Sequence, residues 1–136
     1  MVTETNCTFQ ITSWSENPSQ EIEGAAKLSI AKVTQSYTGA IEGTSSVDYL
    51  MSYTVDGTAC FVGFERVSGA VAGKTGTFVI QHSGSFSEGK ARSTWSVVEG
   101  AGTGELANLR GKGSYIAGHG EPAQVSFDYS FAPVKG

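Results

Sequence analysis

The sequence predicts an all-β fold, specifically a single eight-stranded antiparallel barrel spanning residues 1–136. Three observations predict it. Apolar and polar residues alternate with a period of two through most of the chain, as they do on strands with one face turned to a core. The breaks in that alternation are hairpin-type turns, and glycine fills 18 of 136 positions, roughly twice its usual share. The alternating stretches come to eight with short connections, the number that closes a small barrel.

In the first strand Phe9 and Ile11 alternate with Thr8, Gln10 and Thr12, and the strand ends near Trp14. Residues 15–24, with Pro18 among Glu and Gln, predict a polar loop. A second strand runs from Lys27 to Thr38. A third follows from Ala40 to Thr54, with Val47, Tyr49, Met51 and Tyr53 on one face, and Asp56-Gly57 marks a tight turn. The fourth, Ala59 to Gly69, places Phe61, Gly63, Glu65 and Val67 on one side and Cys60, Val62, Phe64 and Arg66 on the other. Apolar groups on both sides predict a strand covered on both faces.

After a turn at Gly73-Lys74-Thr75-Gly76, the fifth strand has Phe78, Ile80, His82 and Phe86 on its apolar face. Glu88-Gly89 turns the chain into a sixth strand carrying Ala91, Trp95 and Val97. Strands around Lys112–Ala117 and Val125–Phe131 complete the count. The segment 100–111 does not alternate. Leu106 and Leu109 stand three apart, which predicts a short helical turn near 105–110 that acts as a plug or lid.

Composition removes several classes of function. Nine Lys and Arg against thirteen Asp and Glu give a net charge of −4 with no basic cluster, so neither nucleic acid nor an anionic membrane is expected as a partner. No apolar run approaches the roughly 18 residues of a membrane-spanning helix, and no signal peptide is evident, so a cytoplasmic location is expected. Cys7 and Cys60 are too few for a disulfide framework and read as reduced, buried apolar side chains.

Several motifs fail on spacing or context. Gly69-Ala-Val-Ala-Gly73-Lys74-Thr75 is one residue short of a phosphate-binding loop, and a strand follows where a helix N-terminus is needed. Gly102-Thr-Gly104-Glu-Leu-Ala107 matches a dinucleotide fingerprint but has no parallel βαβ unit around it. Two His and two Cys at wide spacing give no metal signature, so no metal and no cofactor are expected.

The residues able to carry chemistry are few. A carboxylate on the inner wall of a barrel is costly unless paired, so Glu65 needs a partner or a function. His82, on the adjoining strand, is the natural partner, and together they form either a candidate catalytic pair for moving a proton or a core histidine satisfied by that Glu. The alternative for Glu65 is the solvent face or hydrogen bonds to neighbouring Tyr hydroxyls. Tyr49, Tyr53, Phe61, Phe78 and Trp95 are inward-type positions and candidate ligand contacts. Gly63 and Gly84, each among large aromatics, leave space for a void, a strand kink or a ligand slot. His119, between glycines, is expected in a loop at a barrel mouth.

The segments Phe61-Val-Gly-Phe-Glu-Arg-Val67, Gly76-Thr-Phe-Val-Ile-Gln-His-Ser-Gly-Ser-Phe86, Trp95-Ser-Val-Val98 and Gly102-Thr-Gly-Glu-Leu-Ala-Asn-Leu-Arg-Gly111 together resemble a bacterial domain family of unknown function. Its members are similar to the allene oxide cyclase type of barrel, which is also like that of dirigent proteins. The resemblance implies an eight-stranded antiparallel barrel. It also suggests comparing Glu65 with a barrel-lining Glu of enzymes that cyclise an unstable substrate chiefly by shaping it. Fold alone does not carry that activity across.

Three functions compete. The first is a binding module for one small apolar or amphipathic molecule. The second is a cofactor-independent isomerase or cyclase using Glu65 and His82. The third is a filled structural barrel acting through oligomerisation. A homo-oligomer, taken as a dimer, is expected.

Overall fold

Period-two alternation is realised as long strands that close on themselves. The computed structural model describes residues 2–20, 23, 27–118 and 122–133. The strands are β1 (Thr3–Gln20), β2 (Lys27–Gly39), β3 (Ile41–Tyr53), β4 (Ala59–Val71), β5 (Lys74–Ser87), β6 (Lys90–Val97), β7 (Thr103–Gly104), β8 (Leu109–Gly118) and β9 (Ala123–Phe131). Every pairing is antiparallel. The order β4-β3-β2-β1-β9-β8-β6-β5 returns to its start through the β4–β5 pairing, which closes an eight-stranded barrel. The extra strand, β7, adds to the part of β5 that extends past β6, through Gly76 and Thr77.

The expected helical turn near 105–110 is not formed. Residues 105–108 are a run of turns, in which Leu106 N–H donates to Thr103 O and Leu109 N–H to Leu106 O. Gly104 has φ of +60° and the Glu105 N–H donates to Thr75 O, so the segment is tied to β5 before a helix can propagate. Leu106 and Leu109 are nonetheless buried, and they plug this end of the barrel beside Ile41, Val71 and Val97.

The expected polar loop is also corrected. Ser15–Gln20 continue β1 and pair along β2 as far as Gln20 opposite Leu28, while residues 21, 22 and 24 lie outside the described residues. A one-residue bulge between Ile11 and Ser13 resets the alternation, so that Phe9 points inward before it and Trp14 and Glu16 do so after it. Pairing with β9 ends at Phe9, which leaves the second half of β1 bonded on one side only. Pro18, which has no N–H, is tolerated on that free edge.

The outer face of β4 is not covered within the chain. Val62 and Phe64 are 51% and 57% exposed, and Cys60 is exposed as well, whereas Cys7 is buried and burial raises its thiol to about 11. Gly63 and Gly84 are neither voids nor ligand slots. Each stands opposite an aromatic ring on the next strand, and a Cβ would fall 2.9 Å from Tyr49 Cδ1 and 2.5 Å from Phe61 Cζ respectively. Gly113 makes the same room for Trp95, so the rings lie flat along the wall.

The near-miss phosphate loop is the end of β4, a hairpin turn at Ala72-Gly73, and the start of β5. Ala72 and Glu88 have φ of 54°, and each is followed by a glycine with positive φ, as in a two-residue hairpin loop. Because Asn tolerates this conformation better than Glu, Glu88→Asn is expected to raise stability by about 0.5–1 kcal/mol, read as a higher urea midpoint at unchanged m-value.

Candidate functional site

The end of the barrel opposite Leu106 holds a cavity of about 530 Å³. Phe61, Met51, Tyr49 and Phe86 line one side. Gln10, Ile11 and Trp14, from the stretch of β1 beyond its pairing with β9, and Ala117 and Gly118 at the end of β8 line another. The wall is therefore apolar and aromatic with a few hydroxyl and amide groups, the usual composition of a small-molecule site. Trp14 stacks along Tyr49 at 6.5 Å between ring centroids, and Tyr49 meets Phe61 edge-on at 4.9 Å.

Of the residues the sequence singled out as ligand contacts, Tyr49, Tyr53 and Phe61 line this cavity. Phe78 and Trp95 do not. They are buried in the cluster that fills the closed half, Phe78 with Val67 and Ile80, and Trp95 against Phe127 at 5.3 Å.

Glu65 and His82 come together beneath the cavity. His82 pairs with Gly63 in register and Glu65 with Ile80, a diagonal placement that brings His82 Nε2 to 2.6 Å from Glu65 Oε1. Tyr37, inward on β2, donates its hydroxyl to Glu65 Oε2 at 2.6 Å. Ser93 Oγ lies 3.0 Å from His82 Nδ1 and also reaches Thr94 O at 3.4 Å, so it can serve that ring nitrogen as donor or acceptor. Glu65 is 0% and His82 2% exposed, and neither lines the cavity.

A floor of aromatic rings separates the two layers. Tyr49 and Tyr115 both pack edge-on against His82, Phe9 packs on Tyr37, and the Tyr49 and Tyr115 hydroxyls lie 3.3 Å apart. Burial, followed by the Glu65 charge, holds the Tyr37 hydroxyl well above the usual tyrosine range. Burial beside Tyr115 does the same for Tyr49, and burial raises Tyr115 to about 12. These hydroxyls stay protonated at neutral pH and act as hydrogen-bond groups rather than bases.

A second carboxylate, Glu16, was masked in the sequence by its polar surroundings. Its Oε2 accepts from Ser29 at 2.5 Å and Tyr53 at 2.6 Å, and its Oε1 from the Trp14 indole at 3.1 Å. Burial raises its carboxyl, but these three hydrogen bonds outweigh burial and leave it below the usual carboxylate value. A depressed folded-state value means that the stabilisation is complete above the unfolded-state value and is lost as pH falls through the folded one. The acid limb of a stability-versus-pH curve is therefore expected to flatten in Glu16→Gln, the gap between the two proteins being largest near neutral pH and narrowing as pH falls through the folded-state value.

Among the described residues no group of three His, Cys, Asp or Glu side chains converges as a metal site would require, and no helix is long and apolar enough to cross a membrane. His119 lies outside the described residues.

Comparison with known proteins agrees with the fold. The family described as protein of unknown function (DUF3224) matches residues 5–129. A solved structure of a DUF3224-family protein with unknown function, from Shewanella oneidensis MR-1, superposes with a TM-score of 0.78 at 27% identity, covering 98% of this chain and 100% of that one. No curated protein matches.

Proposed function

The chain belongs to the DUF3224 family, and from that premise we propose that its barrel is a binding module for one small apolar or amphipathic molecule. The observation that carries this reading is the cavity of about 530 Å³, walled by Tyr49, Phe61, Phe86 and Met51, at the end away from the Leu106 plug. A filled structural barrel would place side chains in that space. Native mass spectrometry of protein purified gently from its own host, followed by denaturing extraction, tests it. A stoichiometric small apolar molecule is expected. An apo mass that persists after incubation with a lipid and polyketide extract would sink the reading.

A cofactor-independent isomerase or cyclase is the second reading, and the hydrogen-bonded Glu65–His82 pair favours it. Any proton exchanged with a ligand would have to pass the floor of Tyr49 and Tyr115. On this reading Glu65→Gln abolishes turnover of the extracted ligand. On the binding reading it leaves ligand affinity intact.

The proposal includes a cytoplasmic homodimer. On the outer face Ile30, Leu50 and Val62 stand side by side in register, with Phe64 beside Asp48. The Lys32–Asp48 ion pair leaves this strip neutral in a chain of net charge −4, and a two-fold axis through it would let each Lys32 meet Asp48 of the partner subunit. Sedimentation is expected to give a dimer for the native chain and a monomer for Phe64→Glu. A monomeric native chain at micromolar concentration overturns the arrangement.

A further inference from the structure

Resting on the ligand-binding reading, we propose that the bound molecule is uncharged and carries a hydroxyl group that hydrogen-bonds to the carboxamide of Gln35. Gln35 points inward from β2, is 3% exposed and lines the cavity, yet its Oε1 has no hydrogen-bond partner. Directly opposite in the β2–β3 register stands Ser45, whose buried Oγ also lacks one. Among the described residues these are the buried side-chain polar atoms left unpaired, and they are neighbours on one wall. By contrast Glu65, His82, Ser93 and the hydroxyls of Tyr37, Tyr49 and Tyr115 are all paired. Since buried polar groups are rarely left unmatched, the orphaned carboxamide of Gln35, the one of the two that lines the cavity, marks where a ligand's polar group belongs.

The chemistry of the wall narrows that group. Among the described residues no Lys, Arg or His lines the cavity, and the Glu65 carboxylate lies beneath its floor, so a carboxylate or phosphate ligand would meet no counter-charge from them. The Gln35 carboxamide carries an acceptor on one side and a donor on the other, and a hydroxyl answers either, whereas a ketone or ester answers the donor alone. Half a turn about Cγ–Cδ exchanges Oε1 and Nε2 without changing the side chain's shape, so either group can be presented to the cavity. A hydroxyl donates to the oxygen or accepts from the NH2, whichever is presented.

Naphthalene, naphthol and naphthoate share one ring system and differ in the substituent, and their binding can be followed by quenching of the fluorescence of Trp14, which lines the cavity. The native chain is expected to bind naphthol about three- to ten-fold more tightly than naphthalene, and naphthoate more weakly than either. In Gln35→Leu the naphthol advantage disappears while naphthalene affinity is kept or improved. Gln35→Met serves as a second variant should the branched side chain prevent folding. Naphthol bound no better than naphthalene by the native chain, or an advantage that survives in both variants, overturns the hydroxyl assignment while leaving the binding module standing. Failure of all three probes to bind overturns the binding module, and the hydroxyl assignment with it.

Discussion

Replacing Glu65 by alanine is expected to lower the stability of the barrel by about 3–5 kcal/mol, as is typical when one partner of a buried charged network is removed. The geometry gives the reason. One carboxylate accepts from both the Tyr37 hydroxyl and His82 Nε2, each at 2.6 Å and each sealed from water. Alanine strands two donors at about 1–3 kcal/mol each and leaves a space above Val67 and Ile80. Set against the 5–15 kcal/mol typical of a domain, the variant stands at the edge of folding.

Glu65→Gln should cost less, about 1–2 kcal/mol. Its oxygen still accepts from Tyr37, and its NH2 donates to His82 once the ring takes the other tautomer, with Ser93 accepting from Nδ1. Glu65→Leu combined with His82→Leu should cost well under the sum of the two single changes, because the apolar pair removes both ends of the interaction together. Urea unfolding of the set provides the check. Additive costs would show that the 2.6 Å contact contributes no coupling and would remove the structural account of the pair.

How much of this was legible in the sequence depends on what period two can report. It reports which way a side chain faces, so Tyr49, Phe61, Glu65 and His82 were correctly placed on the inner wall. It does not report height. Phe78 and Trp95 face inward as Tyr49 does, but the stagger of a barrel carries them into the closed half, and neither the stagger nor the pairing register is written in alternation. The same limit hid Tyr37. It follows Ala31, Val33 and Gln35 on the inner face of β2, and the phase was visible even though its reach to Glu65 across β3 was not.

Two further failures share a physical cause, which is that local spacing has more than one solution. Leu106 and Leu109 at a separation of three suit a helical turn, but they suit successive β-turns equally, and Gly104 with the Glu105–Thr75 bond selects the latter. The bulge in β1 is a single inserted residue that swaps the faces of everything after it. Glu16 and Pro18 therefore read as part of a polar loop beginning just after Trp14, although they continue the strand. Glu16 could have been found from the spacing Trp14–Glu16, which keeps the alternation running in its new phase.

Filling the cavity should abolish ligand binding and leave the fold intact. Ala91 and Ala117 face each other in the β6–β8 register, and both line the cavity, so a larger side chain at either grows into open space instead of packed neighbours. Ala117→Trp would displace on the order of 100 Å² of ligand contact. At about 25 cal/mol per Å² that is about 2.5 kcal/mol, or roughly a sixty-fold loss of affinity for naphthol. The indole buries apolar surface in its turn and suits a strand better than alanine does, so stability should hold or rise by about 0.5–2 kcal/mol. Ala91→Leu, smaller and on the facing strand, should show the same opposition of effects at lower amplitude. This opposition separates a site from a core, because a core residue loses stability when it is overpacked while a cavity wall gains it. Calorimetric titration alongside thermal unfolding reads both quantities on one sample. Unchanged affinity in Ala117→Trp would place the ligand outside the barrel, and a large loss of stability in both variants would mean the space is occupied in the native protein.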